Sequence, residues 1–270
     1  MRKAVRWLLL IVVAAVFLIS APIVIKHQLE MRDSAQQTET LTQMVVTRME
    51  EVEVPQEAVA VAPEETQTEL PAEPMEESVE EIPVKAPIHV DFTALQAANP
   101  EAIAWLYSPD TPIHYPVAQA ADNDYYLHRL LDGRANAAGT LFMDYRNTGG
   151  LTDWNSVIYG HNMIDDSMFG SLPDYKSQSY YEAHPDLYLL TPERDYLIKL
   201  FAGFVTSADA ELYQSFNPTG EERIRLMESW KDASDFVSEV CPTEEDRLIT
   251  LSTCSYEYDN ARYVLIGVLN

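Results

Sequence analysis

Nineteen consecutive residues near the N-terminus, Trp7–Ile25 (WLLLIVVAAVFLISAPIVI), carry no charge. A helix needs about 20 such residues to cross the hydrocarbon of a bilayer, so this run constrains the rest of the chain more than any other feature. Arg2, Lys3 and Arg6 precede it. By the positive-inside rule, the N-terminus stays in the cytoplasm and everything after Lys26 lies outside. A cleaved signal peptide would have a shorter apolar core, about 7–15 residues, and a small-residue cleavage site. Here the run is longer, and its small pair Ser20-Ala21 is followed by Pro22, which favours an uncleaved anchor. The expected localisation is the cell membrane, single-pass, with the bulk of the chain extracellular.

Composition then divides the exported part. The 270-residue chain has a formal net charge of −25, which excludes the basic footprint of a nucleic-acid binder. Much of that charge falls in one stretch: residues 28–92 hold sixteen acidic and three basic residues. The segment EEVEVPQEAVAVAPEETQTELPAEPMEESVEEIPVKAP has no aromatic residue and cannot bury enough apolar surface to offset its ordering entropy. Glu repulsion and proline stiffness predict an extended, solvated stretch. The expected organisation is a basic cytoplasmic N-terminus at 1–6, a transmembrane anchor at 7–25, an acidic Pro/Glu-rich extracellular spacer at 26–87, and one folded domain at 88–270. Two cysteines, Cys241 and Cys254, do not make a disulfide framework.

Within the folded domain, DFTALQAANPEAIAWLYSP reads as helical, with Asp91 or Thr93 capping a first turn and Asn99-Pro100-Glu101 as an N-cap, first-turn proline and first-turn acid. The pattern then turns to β. Short strands are expected near 104–107, 113–118, 139–144, 155–160, 186–191, 195–206, 246–254 and 261–269, with helical turns near Asp122–Arg129 and Ser167–Tyr175. GEERIRLMESWKDASDFVS, residues 220–238, places Ile224, Met227 and Trp230 at helical spacing. Many short strands with tight turns indicate a mainly β sandwich or barrel. No internal repeat is present.

Two residues at the end of the chain carry chemical interest. In LITLSTC, Leu248, Thr250, Ser252 and Cys254 share one strand face, and in ARYVLIGVLN, Arg262, Val264, Ile266 and Val268 share another. If Ser255–Ala261 connects them, Cys254 and Arg262 stand opposite each other at the base of a hairpin. A guanidinium beside a thiol favours the thiolate and supplies donors to a developing oxyanion. A thiol nucleophile also needs a proton carrier. Of the six histidines, His161 ends the hydrophobic run SVIYGHNM and precedes IDDSMFG, a position from which a strand-end imidazole reaches a cleft.

These residues, IYGHNM followed by DDSMFGSLPDY, then TLSTC, then an arginine opening the last strand, resemble the sortases, and more closely class B sortases. NPEAIAWLY, IHYPVAQAADNDYYL and GTLFMDYRN upstream are similar to that class as well, so the resemblance runs from about Val90 to Asn270. It implies an eight-stranded sortase-type β-barrel with an N-terminal helix and a helix inserted between the sixth and seventh strands. It implies a membrane-anchored cysteine transpeptidase that cleaves sorting-signal peptides of secreted proteins after Thr through a thioacyl-enzyme, then joins them to an amine of peptidoglycan or its precursor. Carried over by position, the nucleophile is Cys254, the proton carrier His161 and the oxyanion-stabilising residue Arg262. Ser252, Asn123 and Leu127 match substrate-contacting positions, and Tyr159 and Thr253 flank the catalytic residues. No cofactor is implied, and no metal site: Asp165 and Asp166 are neighbours whose side chains point apart on an extended chain.

The Asp-Pro-aromatic lid motif of pilus-polymerising sortases is absent between Glu30 and Phe92, which counts against pilus assembly. Other readings stay open at this level. An L,D-transpeptidase also places His before Cys, but with Ser-x-Gly-Cys where this chain has Leu-Ser-Thr-Cys. Papain-like wall peptidases order Cys before His. A non-catalytic binding domain on a membrane tether would leave Cys254 inert.

Overall fold

The computed structural model describes residues 2–48, 84–148, 151–214 and 216–270. The first helix, α1 (Arg2–Val45), runs 44 residues, about 66 Å at 1.5 Å per residue. It is the one helix among the described residues long and apolar enough to cross a membrane. Trp7, Val13, Phe17 and Ile19 on its first half are exposed, while Leu41 and Val45 at its far end are buried against Leu95, Trp105, Tyr126 and Leu131. After it, β1 (Val46–Arg48) pairs antiparallel with β2 (Ile88–Val90), Val46 opposite Val90 and Arg48 opposite Ile88.

That pairing changes the picture drawn from composition. An extended spacer over 26–87 does not describe 26–48, which is helix and strand packed on the folded domain. Past Lys26 the helix is held by tertiary contacts, Leu41 and Val45 buried against the domain and Asp33 and Gln37 bonded to it, which composition averaged over the segment does not show. Most of the acidic stretch, residues 49–83, lies outside the described residues. The strands on either side of it, β1 and β2, are paired, and α1 links the apolar run to the barrel.

α2 (Phe92–Ala98) opens with Asp91, whose carboxylate accepts from the Ala94 N–H at 3.0 Å. Asn99 ends this helix rather than starting another. Its Oδ1 accepts from the Glu101 N–H at 2.8 Å, and its Nδ2 donates to the Leu131 carbonyl at 2.6 Å. An asparagine that bonds its own backbone two residues on serves a turn as well as a cap. The following residues find sheet partners on both sides and become a strand.

Eight strands close the barrel: β3 (Ala102–Tyr107), β4 (His114–Ala118), β5 (Leu141–Met143), β6 (Asn155–Tyr159), β7 (Asp186–Leu190), β8 (Asp195–Ser207), β9 (Leu248–Cys254) and β10 (Ala261–Leu269). Their order is β10-β8-β7-β3-β4-β5-β6-β9, with β9 returning to β10. The β4–β5 and β6–β9 pairs are parallel and require crossover connections. The β4–β5 crossover carries Asn123 and Leu127. The short helix α3 (Gln178–Ala183) precedes β7, and α4 (Gly220–Ala233) lies between β8 and β9, the sixth and seventh barrel strands. Thr219 and Glu222 form a reciprocal capping box at the α4 start. The buried face of α4 is Leu226, Met227 and Trp230; Ile224, expected on that face, is exposed.

β9 and β10 are covered on both faces. Ile249, Leu251, Tyr263 and Leu265 point into the barrel core, and Leu248, Val264, Ile266 and Val268 pack under α4 with Trp154 and Trp230. Burial on both sides explains their near-continuous apolar runs.

Candidate active site

The strand register sets the first contact. In the β9–β10 pair, Cys254 lies directly opposite Arg262, and Ser252 opposite Val264. Residues paired this way project to the same side, so the half-buried thiol and the guanidinium share one end of the hairpin. Both cysteines are free thiols, with Cys241 exposed. One Arg262 nitrogen donates to the Ala261 carbonyl at 2.9 Å, which leaves most of the five donors of the fork for other partners. Beyond Cys254, Glu257 accepts from both Ser255 and Lys176, tying the hairpin loop to the body of the domain.

His161 follows the end of β6, and three hydrogen bonds hold it beside β9. The Gly160 N–H donates to the Ser252 carbonyl at 3.1 Å, the Thr253 hydroxyl to the Gly160 carbonyl at 2.8 Å, and the Asn162 amide to the Cys254 carbonyl at 2.8 Å. Parallel pairing of Tyr159 with Ser252 fixes the register. The His161 Nε2 lies 2.7 Å from the Leu127 carbonyl. A carbonyl only accepts, so Nε2 carries a proton and Nδ1 is the nitrogen that titrates. Burial lowers the His161 pKa below its ordinary value; the Leu127 hydrogen bond works against this, and the nearby His128 adds to the lowering. The two imidazoles stack, with ring centroids 5.9 Å apart.

The wall opposite is built on Asp144, whose side chain is fully buried. Its carboxylate accepts from Arg146 through Nε at 2.9 Å and a terminal nitrogen at 2.7 Å, from the Asn123 amide at 3.0 Å and from the Tyr159 hydroxyl at 2.9 Å. Burial works to raise the Asp144 pKa, but these donors together hold it below the ordinary carboxylate value. Burial and the adjacent Asp144 charge push the Tyr159 phenol well up. Tyr213 stacks on Tyr159 with centroids 6.1 Å apart, and its hydroxyl meets the Ser252 hydroxyl at 2.7 Å.

All eight residues singled out from the sequence, Asn123, Leu127, Tyr159, His161, Ser252, Thr253, Cys254 and Arg262, line one cleft of about 420 Å³. Arg146 and Tyr213 line it too and were not singled out. Arg146 stood in the quoted run GTLFMDYRN, where an Asp–Arg pair two residues apart was the available signal. Tyr213 lies in the irregular β8–α4 connection and has no sequence signal. Among the described residues, no group of three or more His, Cys, Asp or Glu is placed to hold a metal ion.

The sortase domain model matches residues 106–270. Sortase B of Listeria monocytogenes is 36% identical over 188 residues, covering 69% of this chain and 76% of the relative. Among solved structures, sortase B from Listeria monocytogenes shares 37% identity at a TM-score of 0.59 and covers 66% of this chain and 100% of its own. Sortase B from Staphylococcus aureus shares 28% identity at a TM-score of 0.63, over 66% of this chain and 86% of its own. The family domain spans more than half of the sequence, and the same barrel recurs in class B members: the chain belongs to the sortase family, in class B, and is a cysteine transpeptidase.

Proposed function

We propose that this protein cleaves a C-terminal sorting motif of secreted proteins after Thr and transfers the acyl group to a cell-wall amine, with Cys254, His161 and Arg262 as its reacting side chains. The observation that carries this reading is the pairing of Cys254 with Arg262 in a cleft that also holds His161. The Cys254 thiolate attacks the Thr carbonyl carbon, and the carbonyl electron pair moves to oxygen, where the Arg262 guanidinium stabilises it. Collapse of the tetrahedral adduct breaks the C–N bond, and protonated His161 gives its proton to the departing amine. The thioacyl-enzyme is then attacked by an incoming amine, which loses a proton to His161; the C–S bond breaks and the thiolate returns.

Asn123, Leu127, Tyr159, Ser252 and Thr253 are proposed to form the groove that holds the sorting peptide in an Asn-Pro-x-Thr-like or related Pro-x-Thr register. The Staphylococcus aureus relative has been solved as a complex with substrate, and a sortase B has been solved with triglycine, which supports a peptide donor and an amine acceptor here. The exposed apolar half of α1 supports anchoring in the membrane, with the barrel outside. The test is mass analysis of products from a library of sorting-motif peptides incubated with the full chain in detergent, with triglycine, a diaminopimelate stem peptide or no acceptor. Cleavage after Thr with amine-dependent ligation is expected; the absence of cleavage across the library would overturn the reading.

A further inference from the structure

The segment Tyr126–Thr140 touches His161 at one end and α1 at the other. At the cleft, the Leu127 carbonyl holds the His161 Nε2 and the His128 ring stacks on the imidazole. At the far end, α1 makes a row of polar contacts with the same segment. Gln37 Oε1 accepts from the Leu131 N–H at 3.2 Å, the Asp33 carboxylate receives Arg134 at 2.7 and 2.8 Å, and the Glu30 carbonyl accepts from the Asn136 amide at 2.7 Å. The two ends are joined inside the segment: the Asn136 N–H donates to the His128 carbonyl at 3.0 Å, and the Thr140 N–H to the Tyr126 carbonyl at 3.0 Å. Asn136 thus holds α1 with its side chain and His128 with its backbone.

Gly139 shows how closely this segment, a strap between α1 and the cleft, packs on itself. Its φ is +64°, and a Cβ there would lie 2.6 Å from the Tyr126 carbonyl oxygen and 2.7 Å from that of Leu127. The backbone at Gly139 therefore packs against the same Leu127 carbonyl that lies 2.7 Å from the His161 Nε2.

We propose that the part of α1 after the apolar run, Glu30–Val45, is a working part of the catalytic domain: through Asp33, Gln37 and Asn136 it fixes the strap that sets the His161 ring. These three are positioning residues, since none touches the reacting atoms. The inference rests on the assignment of His161 as proton carrier. It makes the helix that carries the apolar anchor also the element that completes the proton-transfer geometry.

The experiment uses the full chain in detergent micelles with a sorting-motif peptide, comparing wild type with Asp33→Ala/Gln37→Ala, with Asn136→Ala, and with Glu39→Ala, which alters a contact inside α1 to Gln43. Amide hydrogen exchange should speed up over 126–140 in the first two variants and stay at wild type in Glu39→Ala. Their kcat should fall about tenfold, within the reach of a misplaced general acid, with KM within about twofold. The apparent acid-side pKa of kcat/KM should move up toward the ordinary imidazole value as His161 loses its cover. If the double variant fails to fold, Gln37→Ala alone gives the same exchange readout. Wild-type exchange over 126–140, or a loss of kcat without a change in exchange, would overturn the inference. If the wild type itself cleaves no peptide, the functional assignment fails instead, and the exchange result still decides whether α1 holds the strap.

Discussion

Arg262 and Cys254 meet because a two-residue period places them opposite each other in the β9–β10 register. The guanidinium is always charged and presents a planar fork, whereas a lysine offers one compact ammonium. Arg262→Lys is therefore expected to lower kcat by about 10²-fold, as removal of one oxyanion donor does, and Cys254→Ala to abolish cleavage. Steady-state kinetics with a fluorogenic sorting peptide checks both, and near-normal turnover of Arg262→Lys would remove the oxyanion role. His161 carries a second prediction. Burial lowers its pKa, so the imidazole holds its proton less readily than one in water. The pH profile of kcat/KM should show an apparent limb below the ordinary value of 6.5, and His128→Asn should move that limb upward by removing the neighbouring charge. At Asp144, loss of the carboxylate leaves Arg146, Asn123 and Tyr159 without their shared acceptor. Asp144→Ala should destabilise the fold by about 3 kcal/mol and raise KM, read by chemical denaturation and kinetics on the same preparation.

At the level of elements, the site is the meeting point of three strand ends and one crossover. β6 and β9 run parallel, so the residues just past Tyr159 and those ending at Cys254 emerge on the same rim. β10 runs back antiparallel and returns Arg262 to it. The β4–β5 crossover passes over that rim because two parallel strands cannot be joined by a tight turn. α4 supports the arrangement from outside, covering the outer faces of β9 and β10 with Trp230, which stacks on Trp154 at 5.8 Å. Thr219→Ala removes the hydroxyl that accepts from the Glu222 N–H and should cost about 1 kcal/mol, seen as a lower denaturation midpoint with kcat unchanged. The periodicities made the strands legible, since each barrel strand buries one or both faces. They did not decide Asn99, where the same side chain suits a cap or a turn, nor Ile224, where helical spacing fits more than one stripe.

Over the whole molecule, stability should depend on pH through half-buried imidazoles. Burial lowers the His114 pKa as well as that of His161, and His114 packs edge-on against Trp105 and Tyr107. The unfolded chain takes up protons at these rings near pH 6.5 while the folded chain resists, so their contribution is fully present above that value and is lost as pH falls through the lower folded pKa. Thermal denaturation between about pH 7.5 and about pH 5.5 should show a falling midpoint, with a shallower slope in His114→Phe; an unchanged slope would show that His114 carries no part of it. The sequence by itself showed the apolar run, a mainly β fold, and Cys254, His161 and Arg262 as candidates, because hydrophobic period and motif residues are local properties of the chain. Only the tertiary structure decided that the acidic segment is flanked by paired strands, that α1 packs on the barrel, and that Asp144 and Tyr213 build the cleft wall, because those contacts join positions far apart in the chain and arise from burial and hydrogen-bond geometry that no local window contains.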